Sequence, residues 1–181
     1  MRPSFVIIGL GNPGASYGKT RHNAGFRALD RVNDIVGGTM MKDSKKFLSV
    51  VCDAEIGSVP VLLVKPQTFM NRSGEAVKKI MDFYKLDAAK QLLVLCDDID
   101  LPLGELRLRA SGGPGTHNGL KSIVEVIGEG FPRLRIGLGA QPAGVDLAAW
   151  VLSVPPKEDA EILEAALEKV PGVVEEVVAK V

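Results

Sequence analysis

Apolar positions divide this chain into strand-like and helix-like stretches. Residues 5–10 (FVIIGL) and 92–96 (LLVLC) are short continuous apolar runs, the pattern of strands buried on both faces. A glycine-rich loop follows the first run. Phe26, Leu29, Val32 and Val36 then recur close to helical spacing over about residues 23–36, and Gly37 and Gly38 stop the helix. Residues 47–56 and 59–64 are β-rich runs parted by Gly57 and Ser58, which predicts a hairpin whose second strand Pro66 closes. Ala76, Val77, Ile80, Met81 and Tyr84 mark one face of a second helix. Residues 106–109 and 133–136 alternate apolar with basic, so each predicts a strand with one face in the core and a cationic face outward. Between them a second glycine-rich loop, residues 111–115, leads into a helix over about residues 118–127. From Lys157 the tail keeps Ala160, Leu163, Ala166, Leu167 and Val170 on one helical face, started by Pro155 and Pro156 and kinked or broken at Pro171. There is no internal repeat, low-complexity tract or linker. The expectation is one α/β domain over residues 1–181, with a twisted mixed sheet, mostly parallel plus the antiparallel hairpin, flanked by helices.

Composition narrows the function classes. A chain of 181 residues with 46% apolar types can bury a real core. Its 22 acidic and 22 basic residues cancel, so an anionic partner has to be met by a local patch and not by a global field. Cys52 and Cys96, each inside an apolar run, are too few for a disulfide framework or a cysteine zinc site and suit a reducing cytoplasm. The first apolar run is too short for a secretion signal, and nothing approaches a membrane span.

Two phosphate-binding patterns compete for the first loop. Gly9, Gly11 and Gly14 have the spacing of a dinucleotide fingerprint, but Pro13 stiffens the loop, no helix opens directly after Gly14, and no strand ending in an acidic residue follows at the required distance. Gly18, Lys19 and Thr20 resemble the end of a P-loop, with Asp97 after an apolar strand as the magnesium aspartate. The required first glycine falls on Pro13, so this nucleotide-binding reading ranks second.

The two histidines each precede an asparagine beside glycine-rich sequence, as His22 with Asn23 and His117 with Asn118. Ligands of open α/β sheets sit outside the carboxyl ends of the strands; Asn12 follows the first strand, Asp97 follows a later one, and His22 can reach the same edge. An imidazole paired with a carboxylate is held in one tautomer and becomes a better base for drawing a proton from water. No serine lies in a nucleophile-elbow pattern, and no His or Cys cluster has metal spacing. Direct, metal-independent water attack is the simplest hydrolytic reading.

Residues 9–14 (GLGNPG), Tyr17 with 20–25 (TRHNAG), 65–74 (KPQTFMNRSG), 96–104 (CDDIDLPLG), 112–121 (GGPGTHNGLK) and 133–139 (RLRIGLG) together resemble bacterial peptidyl-tRNA hydrolases, in order and over most of the chain. The resemblance implies hydrolysis of the ester that joins a peptide, or another N-blocked aminoacyl group, to the terminal ribose of tRNA, with neither metal nor nucleotide cofactor. It implies that His22 accepts the proton, that Asp97 stabilises its basic form, and that Asn12 helps to tell blocked from unblocked aminoacyl groups. The positions of Tyr17, Phe69, Asn71 and Asn118 would contact substrate. Bland duties compete: a turn before Pro13 for Asn12, a helix cap for Asn71, core packing for Tyr17 and Phe69. For His117, packing of its loop or tRNA binding stands level with chemistry.

Arg107, Arg109, Lys121, Arg133 and Arg135 are candidates to meet phosphates, with Lys42, Lys45 and Lys46 as a second cluster, because an enzyme acting on many tRNAs needs backbone contacts and not base readout. Many family members carry a further histidine where this chain has Pro114, so that side chain's role is absent here. The expected partner is peptidyl-tRNA, met by a cytoplasmic monomer without membrane contact. A non-catalytic RNA-binding relative is the alternative from another class, and intact His22, Asp97 and the three asparagines oppose it.

Overall fold

Strand β1 (Phe5–Gly9) runs through the middle of the sheet because both of its faces are apolar: Phe5 and Ile7 enter one core, Val6 and Ile8 the other. The computed structural model, which describes residues 1–181, continues with α1 (Ala24–Val36) and β2 (Lys42–Ser44). The β3 (Ser49–Ile56) and β4 (Val59–Pro66) hairpin, α2 (Ser73–Tyr84), α3 (Ala88–Gln91) and β5 (Leu92–Asp98) follow. Next come β6 (Leu106–Arg109), α4 (Asn118–Ile127), β7 (Arg133–Gly137), α5 (Leu147–Val151), α6 (Lys157–Leu167) and α7 (Val170–Val178).

The seven strands lie in the order β2-β3-β4-β1-β5-β7-β6. The central four, β4, β1, β5 and β7, are mutually parallel, whereas β2, β3 and β6 pair antiparallel with their neighbours. The mixed sheet predicted from the sequence is therefore present, with a second antiparallel edge at β6. Helix α1, through Ala28, Leu29 and Val32, shares one core with Leu163 and Leu167 of α6 and Val170 and Val174 of α7. Val77 and Ile80 of α2 and Leu120 and Ile123 of α4 fill the other.

Several boundaries depart from the sequence pattern. Strand β2 escaped it because three polar residues at an exposed edge carry no apolar alternation. Phe47 and Leu48 belong to the turn before β3, where Leu48 adopts φ +49°. Pro171 breaks the tail and does not kink it, since it falls in the first turn of α7, where its missing N–H costs no bond. Leu108 is 40% exposed, so the edge strand β6 has no complete core face. The outward cationic face predicted for β7 is also corrected: Arg133 is fully buried, stacked 4.0 Å from the Phe131 ring centroid and donating to the carbonyls of Glu129 and Phe131.

From β1 the chain proceeds to one side of the sheet, and from β5 to the other, so the carboxyl ends of these neighbours form the topological switch point. Helix α1 is pressed hard against that point. A Cβ on Gly25 would lie 2.4 Å from the Leu95 carbonyl oxygen, and one on Gly9 would lie 2.4 Å from that of Gly25. The glycine spacing that imitates a nucleotide fingerprint has three separate causes: Gly9 lies against the α1 backbone, a Cβ on Gly11 would meet the Phe26 ring at 2.5 Å, and Gly14 adopts φ +110°. The P-loop imitation fails in the same loop: residues 15–17 coil into a 3-10 turn, and the Thr20 hydroxyl donates to the Tyr17 carbonyl.

Candidate active site

Asp97, at the carboxyl end of β5, is 3% exposed and binds both histidines of the chain. Its Oδ2 faces Nδ1 of His22 at 2.8 Å, and its Oδ1 faces Nε2 of His117 at 2.9 Å. His22 comes from a 3-10 turn, Arg21–Asn23, that leads into α1; His117 is the N-cap of α4. The N-cap duty fixes the protons. Nδ1 of His117 accepts from the backbone N–H groups of Gly119 and Leu120, so its ring proton sits on Nε2 and is donated to Asp97. An ionised Asp97 accepts from His22 as well, which places the neutral His22 proton on Nδ1 and leaves Nε2 as a lone pair without a protein partner.

The electrostatics follow from this geometry. Burial alone would raise the Asp97 carboxyl, but the charges of His117 and His22 and their hydrogen bonds overcome it and hold the group far below the usual carboxylate range. Burial likewise opposes protonation of His22, and the Asp97 charge and hydrogen bond outweigh it, raising His22 above the ordinary imidazole value. The neighbouring Cys96 thiol is pushed well up by burial, then by Asp97, which makes it an inert wall and no nucleophile.

Asn12 stands in the loop after β1 with its amide already half used. Its Oδ1 accepts the backbone N–H of Met70 at 2.8 Å, so Nδ2 is the end left free, and it can only donate. The backbone of Asn12 is in turn gripped by the side chain of Asn23: its N–H donates to Asn23 Oδ1 at 2.9 Å and its carbonyl accepts from Asn23 Nδ2 at 3.0 Å. Met70 is held where the chain is strained, for Phe69 before it adopts φ +62° and ψ 159°, a region costly for a side chain of its size. The strained turn leaves Phe69 51% exposed, edge-on to Tyr17 with 6.4 Å between ring centroids. Core packing is thus excluded for Phe69.

A cleft of about 400 Å³ opens beside His22, lined among others by Asp97, His117, Asn118, Lys121 and Arg135. Asn118 is exposed at the first residue of α4, and Asn71 is exposed in the 3-10 turn before α2, which no side chain caps. The predicted cations divide. Arg135 lines the cleft, held by Asp98 at 3.3 Å; Arg107, paired with Glu105, and the exposed Arg109 lie outside it on β6; Arg133 is withdrawn into the core. Of the second cluster, Lys46 rests on the Phe83 ring, away from the cleft. Sequence reasoning gave no role to Asn23, whose only signal was its place beside His22, nor to Arg21, which donates to Ser153 Oγ and stacks on Trp150 to brace the cleft wall at α5.

His22, Asp97 and His117 bring ligand-type atoms within 4.8 Å of one another. The nitrogens facing Asp97 carry the protons of its hydrogen bonds, and a cation there would have to displace both. The donor set is a closed hydrogen-bond relay with one open end, Nε2 of His22.

A family model described as peptidyl-tRNA hydrolase matches residues 6–181. The chain is 46% identical over 177 residues to peptidyl-tRNA hydrolase of Chloroflexus aggregans, covering 97% of this chain and 93% of that one. It is 46% identical over 162 residues to the chloroplastic peptidyl-tRNA hydrolase of Arabidopsis thaliana, covering 88% and 55%. The crystal structure of peptidyl-tRNA hydrolase from Acinetobacter baumannii matches with a TM-score of 0.88 at 38% identity, over 99% of this chain and 93% of that one. 5′-Methylthioadenosine nucleosidase of Arabidopsis thaliana, with a TM-score of 0.59 at 7% identity over 99% and 96%, shares the fold alone. No helix is long and apolar enough to cross a membrane.

Proposed function

The chain belongs to the peptidyl-tRNA hydrolase family, and on that premise we propose that it cleaves the ester between peptide and tRNA with His22 as general base. One observation carries the assignment: Asp97 accepts a hydrogen bond from the Nδ1–H of His22, so the Nε2 lone pair is the basic atom left on the cleft wall. In the forward step Nε2 draws a proton from water, whose oxygen attacks the ester carbonyl. The tetrahedral oxyanion then collapses, expelling the ribose oxygen, which takes the proton back from Nε2. The products are a peptide acid and tRNA with a free hydroxyl. Asp97 remains ionised throughout and keeps the imidazolium oriented.

Asn118 lines the cleft beside His22 and donates to the oxyanion, a contact worth about 2.7–4 kcal/mol when aimed well. Asn12 selects the substrate. With Oδ1 occupied, it offers an N–H that the carbonyl of a blocking acyl group can accept, whereas a free α-ammonium would set donor against donor. Tyr17, edge-on to Phe69, and the exposed Asn71 contact the substrate's end. Arg135, Arg107 and Arg109 meet tRNA phosphates, Arg109 most freely because no carboxylate holds it. The enzyme acts as a monomer, in the compartment where tRNA is recycled. The test is release of tRNA from N-acetylaminoacyl-tRNA in the presence of a chelator. A well-folded protein that binds this substrate and releases nothing would overturn the hydrolase reading in favour of a binding relative.

A further inference from the structure

We infer that Asn23 is a positioning residue for substrate selection, acting through Asn12. Its side-chain amide behaves as one more peptide unit. Leu10 and Phe26 are joined backbone to backbone, Phe26 N–H to the Leu10 carbonyl at 3.1 Å, and the Asn23 carboxamide adds a two-bond rung at Asn12, accepting from its N–H and donating to its carbonyl. An antiparallel ladder closes its hydrogen-bonded pairs in the same reciprocal way. Only a primary amide of this length supplies both an acceptor and a donor there. Aspartate would keep the acceptor and turn a second oxygen against the Asn12 carbonyl; alanine would leave a buried N–H and C=O unpaired.

The rung matters because of what it aims. Asn23 is 2% exposed, so solvent competes little for the pair. With the backbone of Asn12 fixed by Asn23 and its Oδ1 fixed by Met70 N–H, the direction of Nδ2 is determined at both ends. Asn23 also follows His22 in a single 3-10 turn whose start is tied by Asn23 N–H to the Thr20 carbonyl at 3.2 Å. The base and the side chain that grips the selecting donor are therefore adjacent on one turn, which ties the position of Asn12 to that of His22.

This role rests on Asn12 acting as the donor that recognises the blocking group, and the experiment separates the two. The ratio of kcat/KM for N-acetylaminoacyl-tRNA to that for the unblocked aminoacyl-tRNA is measured for wild type, Asn12→Ala, Asn23→Ala and the double variant. Asn23→Ala is expected to lower the ratio at least about tenfold, and the double variant to fall no further than Asn12→Ala alone, as for two residues that act as one unit. Should Asn23→Ala fail to fold, Asn23→Asp, which keeps one of the two bonds, carries the same comparison. An unchanged ratio for Asn12→Ala overturns the reading of Asn12 and the proposal with it. A lowered ratio for Asn12→Ala beside an unchanged ratio for Asn23→Ala, or losses that multiply in the double variant, overturns the proposal alone. A rise in KM for both substrates with the ratio kept would make Asn23 a tRNA contact instead.

Discussion

The turn that carries His22 and the loop that carries His117 look alike in sequence, each a histidine followed by asparagine beside glycines, and both histidines bind the same carboxylate. They differ in what the second ring nitrogen does. In His117 it accepts two backbone N–H groups of α4, so every valence is spent on structure. In His22 it has no partner and stands on the cleft wall. The contrast teaches that a histidine's chemistry is set by the hydrogen bonds it has left over, and that one aspartate can hold the proposed base and a helix cap together.

Breaking the free arm has the largest expected effect. His22→Ala removes the base and should lower kcat about 10³-fold with little change in KM; turnover within about tenfold of wild type would remove His22 from that role. Breaking the shared centre comes next. In Asp97→Asn, one amide must face two imidazoles, and an NH₂ directed at His22 would favour its other tautomer, putting the proton on Nε2 where the lone pair is needed. Loss of about 10²-fold in kcat is expected, and equal kcat for the two proteins would refute the tautomer account. Breaking the spent arm, His117→Ala, costs mainly structure: about 1 kcal/mol for the lost cap, seen as a melting temperature about 2–4 °C lower, with a fall in kcat of no more than about tenfold. A kcat loss as large as that of His22→Ala would end the distinction between the two residues.

The fold was largely legible because burial on both faces leaves continuous apolar runs, and β1 and β5 show them. Chain order also placed Asn12 after the first strand, Asp97 after a later one and His22 within reach of the same sheet edge, whereas the roles given to them rest on the family resemblance. What the pattern could not carry was how each polar valence is used. The alternation Arg-Leu-Arg at residues 133–135 reads identically to that at 107–109, yet Arg133 is covered by the turn holding Glu129 and Phe131 while Arg109 is exposed. The reach of His117 to Asp97, the orientation of the Asn12 amide and the grip of Asn23 depend on partners 20, 58 and 11 residues away in the chain. Short elements such as α3 and α5 contain too few turns for a period to register.

The smallest effect separates the cap from the carboxylate contact. Asparagine is among the best N-caps but is too short to reach Asp97, so His117→Asn should melt close to wild type while Asp97 loses one of its two donors. The Asp97 charge then falls more fully on His22 and holds its proton more strongly. Since only the neutral imidazole can take a proton from water, kcat/KM rises with pH through the His22 value, which already lies above the ordinary 6.5 in the native protein. The midpoint of that rise should move upward in His117→Asn by a few tenths of a pH unit, on the order of 0.5 kcal/mol. A downward shift would mean that His117 supports the basic form of His22 by another route, and an unmoved midpoint would mean that the two imidazoles share Asp97 without sensing each other.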